Sequence, residues 1–248
     1  MIQEQVVTIS FFKYKSLKDK WWAFKQMKKA RQQLAGMESL NFHKLLGTGS
    51  GNGFSIWPDF SVYALLNVWN SYRAAQKAIL NMPVFLNMQA RSSHQLTVYM
   101  QSVRSKGSWN QQNPFTDLSA TAPDEPIAVI TRASIAPKKL FTFWKNVPSV
   151  SKSLQKIEGM AFSKGIGELP LMEQATFSIW KSRKDMVNYA YRGNKHREMI
   201  KKTKQLGWYT EELFAEFKLM RVEYDWPELD LHLLKNSNML KLSHSANS

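Results

Sequence analysis

The sequence contains one short pattern twice: YALLNVWNS at positions 63–71 and ATFSIWKS at positions 175–182. In each copy a run of apolar and β-branched residues ends at a tryptophan, which is typical of a strand, and a segment with helical periodicity follows. Aligning Trp69 with Trp180 without a gap places Phe85 opposite His196 in the second helix. The sequence therefore indicates a duplicated unit in which only one copy has an imidazole at this position.

The segments around the two copies predict the same order of elements, β-α-β-β-α-β. In the first half we expect strands at 6–12, 40–46, 61–69 and 96–103, with helices at 18–35 and from about residue 72. In the second half we expect strands at 127–134, 160–168, 173–180 and 214–224, with helices at about 138–157 and 184–206. Gly36 is expected to end the first helix.

This order predicts the α+β class, as two ferredoxin-like β-α-β-β-α-β repeats whose sheets pack face to face as an intrachain dimeric α/β barrel. The first repeat spans 1–106, and an irregular linker rich in polar residues and proline spans 107–125. The second repeat spans 126–226 and includes the helix that carries His196. The tail, 227–248, is expected to form a short helix or strap followed by disorder.

Composition limits the classes of function. The 248 residues include 34 Lys and Arg against 19 Asp and Glu, a net charge of +15, which favours an acidic protein, an anionic membrane surface or nucleic acid as partner. The absence of cysteine excludes disulfides, thiolate metal sites, cysteine-ligated haem and a cysteine nucleophile. Without a signal-peptide pattern or a long uncharged apolar stretch, we expect a cytoplasmic protein, with peripheral membrane contact and a homo-oligomer left open.

His196 is the candidate metal ligand. Met186 and Tyr189 share its helical face at three- and four-residue steps, so the ring should point to the buried side of the helix. A neutral imidazole in an apolar pocket can ligate haem iron, although a hydrogen-bonded core or surface histidine also fits. The other histidines, at positions 43, 94, 232 and 244, have no partner at the spacing of a zinc site.

The glycine-rich segment GTGSGNGF at 47–54 joins two strands, so it lacks the strand-to-helix context of a P-loop or a dinucleotide-binding turn. It fits either a flexible hairpin or a backbone that approaches a flat ligand closely. The continuation GFSIW at 53–57 faintly resembles an RNA-recognition motif, but Pro58 and Asp59 interrupt it, which disfavours nucleic acid. No hydrolytic or phosphoryl-transfer machinery is visible, so an enzyme of this sequence would take its reactivity from a cofactor.

Several longer segments resemble those of one family, the spheroidene monooxygenases. They are GTGSGNGFSIWPD at 47–59, ITRASI at 130–135, FWKNVP at 143–148, GIGELP at 165–170, FSIW at 177–180 and GWYTEELF at 207–214. The resemblance extends over about residues 5 to 226.

This resemblance implies a haem b oxygenase that uses O₂ to introduce a keto group into an acyclic carotenoid, with electrons from a ferredoxin. It implies that a helix histidine is the proximal iron ligand, which in this sequence is His196. Arg132 is a candidate distal or propionate-binding group, with a surface ion pair as the alternative. Candidate pocket residues are Phe177, Ile179, Trp180, Trp144 and Met186, each of which also fits plain core. A haem dehydratase or peroxidase-like enzyme, and a binding module for RNA or a lipophile, are the alternatives.

Overall fold

The computed structural model describes residues 4–50, 57–146, 157–169, 171–192, 207–234 and 238–242. The strands described are β1 (Val6–Lys13), β2 (Leu40–Gly49), β3 (Pro58–Trp69), β4 (His94–Gly107), β5 (Ile127–Ile135), β6 (Met160–Gly167), β7 (Glu173–Trp180), β8 (Tyr209–Asp225) and β9 (Met239–Lys241). The helices are α1 (Leu17–Leu34), α2 (Tyr72–Asn81), α3 (Pro83–Arg91), α4 (Leu140–Asn146) and α5 (Arg183–Arg192). None of the described helices is both long enough and apolar enough to cross a membrane.

Strands β1 to β8 form a closed antiparallel barrel. The strand order is β4-β1-β3-β2-β6-β7-β5-β8, and β8 pairs with β4 to close the ring. The two repeats meet at two seams: β4 and β8 pair over twelve residue pairs, whereas among the described residues β2 and β6 pair only through Gly47 with Gly167 and Thr48 with Ile166. The predicted α+β class and the barrel of two ferredoxin-like repeats are confirmed.

The register repeats between the two halves. Trp69 pairs with Val6 and Leu40, and Trp180 pairs with Ile127 and Met160, so each tryptophan stands opposite the first residue of the two strands beside it. β2 and β6 also carry the same irregularity after their first residue pair. A gapless superposition of the two Trp-containing strands is therefore structurally valid, and it extends to their neighbours.

The helix predicted from residue 72 is divided in two. α2 begins after Ser71, whose side chain accepts a hydrogen bond from the Ala74 N–H, and α3 begins at Pro83. Proline has no N–H and disfavours helical conformation in the residue before it, so Met82 is extended and separates the helices. Gly36 follows α1 with φ of +81°, as the sequence predicts. The predicted helices at 138–157 and 184–206 extend into residues outside the described part.

One hydrophobic core fills the barrel, and both repeats contribute to it. Phe11 of β1 packs against Phe162 of β6 and Phe177 of β7, with ring centroids 5.3 and 5.7 Å apart. Burial of aromatic side chains on this scale is the main stabilising contribution of such a core. Because the strands of one repeat alone would leave this face open to water, the two repeats depend on each other for stability.

Each end of the barrel is covered by a tryptophan that follows the last strand of a repeat. Trp109, after β4, packs edge-on against Phe42 at 5.8 Å, and Trp226, after β8, packs edge-on against Phe162 at 6.1 Å. The linker and the tail therefore contribute to the core, together with Phe115, Leu229 and Leu234. The tail has a 3-10 turn (Leu231–Leu234) and β9, which pairs in parallel with β8, while 243–248, where disorder was predicted, lies outside the described residues.

Candidate functional site

The outer face of the first repeat is covered by one continuous apolar layer. α1, α2 and α3 pack on this face, and the buried cluster runs without interruption from Trp69 at one end to Tyr14 at the other. Phe85 of α3 is fully buried here, 6.4 Å from the Trp69 ring. Two buried hydroxyl side chains of this face pair with each other, since Thr97 donates a hydrogen bond to Ser10. This layer is close-packed core.

The outer face of the second repeat has two separate apolar clusters among the described residues. The first cluster contains Ile127, Val129, Trp180 and Met186, with Tyr189 and Phe214 packed against it; the second contains Ile135, Phe143 and Trp208, with Trp144 packed against it. Between them lies the outer-facing residue Thr131, which is exposed although it stands in the middle of the central strand β5. An exposed residue at that place indicates an accessible floor between two apolar walls.

The register identifies the residues that make the difference. Across the middle of the first repeat the outer face carries Leu45, Leu65, Ser10 and Thr97 on adjacent strands, and the matching row of the second repeat is Gly165, Thr176, Thr131 and Phe214. One row further along, Tyr63 and Phe12 are matched by Gln174 and Ala133. Large side chains on three strands are thus replaced by small or polar ones, while Phe214 is larger than its counterpart.

The wall on the α5 side is held firmly. Ser182 is the N-cap of α5: its hydroxyl accepts a hydrogen bond from the Asp185 N–H and donates one to the Asp185 carboxylate. Gly159, at φ +79°, lets Asp185 approach, because a Cβ at position 159 would lie 2.6 Å from the Asp185 Cβ. The Trp180 and Tyr189 rings lie 5.3 Å apart, and burial raises the pKa of the Tyr189 phenol. The Tyr189 phenol is therefore neutral, and its ring packs in the apolar wall.

The structure divides the predicted site residues between the two faces of the sheet. Trp180 and Met186 lie together in the outer layer under α5. Phe177 and Ile179 point into the barrel, because successive residues of a strand face opposite sides. Trp144 lies in the other outer cluster, where its indole N–H donates to the Leu171 carbonyl at 3.0 Å. His196, the predicted iron ligand, lies outside the described residues, which include the helix that leads toward it, α5.

Arg132 also faces the barrel interior, on the opposite side of the sheet from Trp180 and Met186. Its side chain is almost completely buried, bonded to Glu211 at 2.5 Å, and its guanidinium lies 5.1 Å from the Trp109 ring centroid. Arg132 therefore forms an ion pair, but inside the barrel and not at the surface as the alternative had it. Burial raises the pKa of Glu211, but hydrogen bonds from Gln111 N–H, Ser108 and Arg132 outweigh it and lower that pKa to about 2.

Two further ion pairs cross from one repeat to the other inside the barrel wall. Lys44 bonds Glu168 at 2.6 Å, and the equivalent Lys164 bonds Asp59 at 3.0 Å. Each lysine thus takes its carboxylate from the other repeat. Burial raises the pKa of Asp59, but hydrogen bonds from Ser61 and Lys164 outweigh it and leave the pKa below its ordinary value. These pairs reinforce the narrow seam between β2 and β6.

A cleft of about 200 Å³ crosses the outer side of that narrow seam. Its lining includes Gly47 and Gly167 at the seam, Phe24 and Phe60 on the side of the first repeat, and Gln174 on the side of the second. Gln174 is two residues before Thr176 on the same face of β7, so the cleft points toward the accessible floor. Gly47 begins the glycine-rich segment that the sequence left open as a hairpin or a close approach to a flat ligand, whereas Gln174, Thr131, Thr176 and Trp109 had no predicted role. Comparing the two copies residue by residue on each strand would have revealed the small residues of the floor.

Comparison with known proteins agrees with the fold and adds a family. Two aldoxime dehydratases have the same fold. One, in complex with butyraldoxime, superposes with a TM-score of 0.61 at 10% sequence identity, covering 96% of this chain and 88% of its own. The other superposes with a TM-score of 0.59 at 11% sequence identity, covering 88% of this chain and 82% of its own. No protein-family model matches the chain.

Curated relatives are more similar in sequence. The spheroidene monooxygenase of Cereibacter sphaeroides is 29% identical over 227 residues, which is 91% of this chain and 70% of that protein. The spheroidene monooxygenase of Rhodobacter capsulatus is 33% identical over 223 residues, which is 89% of this chain and 92% of that protein. Similarity of this extent over nearly the full length of both proteins shows that the chain belongs to the spheroidene monooxygenase family.

Proposed function

We propose that this protein is a haem-dependent monooxygenase that introduces a keto group into a hydrophobic polyene, an acyclic carotenoid, and that haem b binds in the outer layer of the second repeat. The observation that carries the proposal is the accessible floor at Thr131, between two apolar clusters, where the first repeat has continuous core. A flat apolar ligand needs such a space between sheet and helices.

The residues present fit a haem in character. Thr131 and Thr176 provide a small, uncharged floor, and Trp180, Met186 and Tyr189 provide an apolar wall. His196 follows α5 in sequence and, under this proposal, supplies the iron ligand through a neutral imidazole. Phe177 supports the floor from the barrel side, and Arg132 holds the covered end of the barrel, so neither is proposed to contact the haem.

Haem, when bound, supplies the binding and activation of O₂. The chain's own residues hold the group by one imidazole, exclude water with the apolar walls and keep a nonpolar substrate close. In each monooxygenation one oxygen atom enters a C–H bond of the polyene, and the other is reduced to water with two electrons and two protons. A second monooxygenation at the same carbon would give a geminal diol, and loss of water from the diol leaves the keto group. A ferredoxin-type donor would provide the electrons, and the net charge of +15 suits an acidic partner of that kind.

The first experiment measures haem binding. The purified protein, reconstituted with haemin, should show a Soret band that shifts when CO is added after reduction. His196→Ala should lose most of the bound haem. The matched control is His94→Ala, which should retain the haem; His94 is the first residue of β4, and its Nδ1 lies 3.3 Å from the Asp225 carboxylate. A wild-type protein that does not bind haemin contradicts the cofactor, and an unchanged His196→Ala spectrum contradicts the ligand.

The second experiment measures the reaction. The haem-loaded protein, a ferredoxin with its reductase and an acyclic carotenoid should yield a keto product that contains oxygen from isotopically labelled O₂. Omitting the ferredoxin system should abolish the product. If label enters from water in place of O₂, the proposed monooxygenation is wrong.

A further inference from the structure

The first helix displays large apolar side chains to solvent. Leu17, Trp21 and Phe24 are 84%, 59% and 49% exposed, and their spacing of four and three residues places them on one face of α1. The Trp21 and Phe24 rings stack with centroids 5.6 Å apart. Trp57, just before β3, and Phe60, near the start of β3, are 71% and 58% exposed. We call these five residues the aromatic patch.

Basic side chains surround the patch. α1 contains six basic residues and one acidic residue, Asp19, which is engaged by Ser16 and Arg91. Lys28 continues the apolar face of α1, and Lys18 and Lys25 flank it on one side; all three are exposed. The Lys25 ammonium lies 5.3 Å from the Trp21 ring centroid, so the cation and the aromatic ring share one surface.

We propose that α1 and the aromatic patch form the surface by which this protein docks on an anionic lipid bilayer. Tryptophan and phenylalanine beside lysine suit the boundary between headgroups and acyl chains, and the positive charge is complementary to anionic headgroups. An acidic protein would use the lysines but would leave three apolar side chains of one helix face with no charge to match. A lipid surface therefore accounts for both the exposed apolar side chains and the lysines around them.

The cleft over the narrow seam begins at this surface. Phe24 and Phe60 belong both to the patch and to the cleft lining, and the lining also includes Gln174, beside the floor of the second repeat. A lipophilic substrate dissolved in the bilayer could enter the cleft without crossing water. This access path rests on the proposed function, whereas the docking surface does not.

The test is co-sedimentation of the full-length protein with vesicles of phosphatidylcholine, with and without phosphatidylglycerol. We expect binding to the anionic vesicles that weakens with salt, and little binding to the neutral ones. Trp21→Ser combined with Phe24→Ser should weaken binding on the order of tenfold. The matched control is Phe141→Ser, because Phe141 is 83% exposed on α4 in the second repeat, and it should bind as the wild type does.

A charge-reversal pair tests the other half of the surface. Lys25→Glu with Lys28→Glu should abolish sedimentation with anionic vesicles, whereas Lys138→Glu with Lys139→Glu, exposed and equal in net charge, should retain it. Equal losses in both pairs would show that net charge alone acts and would overturn the assignment to α1. Binding of an acidic protein but not of vesicles would overturn it in favour of a protein partner.

Haem content separates this proposal from the proposed function. The α1 variants should bind haemin as the wild type does, because the patch lies on the first repeat. Vesicle binding without haem binding would support the docking surface and contradict the haem enzyme, and haem binding without vesicle binding would do the reverse.

Discussion

The two repeats are alike inside the barrel and different outside it. Inside, several equivalent residues make equivalent contacts. Phe42 and Phe162 each pack against a tryptophan, and Lys44 and Lys164 each form an ion pair with a carboxylate of the other repeat. Outside, the first repeat has one continuous apolar layer and the second has two clusters with an accessible floor between them. The interior departs from this match where Arg132 of the second repeat stands at the position of Phe11 in the first, whereas the outer faces differ over several adjacent strands.

The outer layers should differ most in what a large-to-small substitution costs. Phe85→Ala removes a fully buried ring from close-packed core and should lower the free energy of unfolding by about 3–5 kcal/mol. Met186→Ala, beside the accessible floor of the second repeat, should cost about 2 kcal/mol, since less surrounding structure is lost. Urea unfolding measures both values, and equal costs would contradict the difference in packing.

The barrel end that Trp109 covers should lose stability in acid, because Glu211 is ionised there in the folded protein. The folded-state pKa of Glu211, about 2, lies below the ordinary value of 4.5, so its stabilising contribution is present above that value and is lost as pH falls toward 2. We expect a loss of about 2–3 kcal/mol over this range. The free energy of unfolding of the wild type, measured between pH 7 and pH 3, should show this loss. That of Glu211→Gln should depend less on pH. Glu38→Gln, at an exposed carboxylate, is the control and should keep the wild-type slope.

The shared interior predicts that the two crossing ion pairs are equally important. Lys44→Met and Lys164→Met should each cost about 2 kcal/mol, because each leaves a partly buried carboxylate without its cation. Differential scanning calorimetry of the two single variants would measure this symmetry. A difference of more than about 1 kcal/mol between them would show that the interior is also specialised.

Filling the floor of the second repeat should imitate the first. Thr176→Leu introduces the residue that the equivalent position carries in Leu65, and it should weaken haemin binding about tenfold, or about 1.4 kcal/mol. The protein should remain folded, because a leucine is compatible with that position of the register in the first repeat. Haemin titration followed at the Soret band gives the affinity, with Thr97→Val on the outer face of the first repeat as control. Unchanged affinity would place the haem elsewhere.

Much of the fold could be predicted because its signals are local. β-branched and aromatic runs predicted the strands, and the 173–180 strand agrees with β7 residue for residue. The division at Met82 and the burial of Trp109 were missed. Pro83 is a visible signal for the first, but nothing local marks a linker tryptophan as core, because its neighbours Phe42 and Lys44 are distant in sequence.

The candidate site could be predicted only in part. Periodicity grouped Met186 with Tyr189, and the structure places both in the outer layer with Trp180. Periodicity did not show that Phe177 and Arg132 face the barrel interior, on the opposite side of the sheet from Trp180. Both faces of β5 and β7 are buried over most of their length, so hydrophobicity does not reveal which face a residue takes.

The sequence by itself determined the duplication, the order of the elements, the α+β class and the resemblance to a family, because repeats, periodicity and motifs are properties of the chain. The tertiary structure alone decided that β4 pairs with β8, that Trp109 and Trp226 cover the barrel ends, and that Thr131 lies on an accessible floor. These depend on contacts between residues far apart in the chain. The asymmetry between Phe85 and His196 was visible in the sequence, and the structure adds the difference between the outer sheet faces under α3 in the first repeat and under α5 in the second.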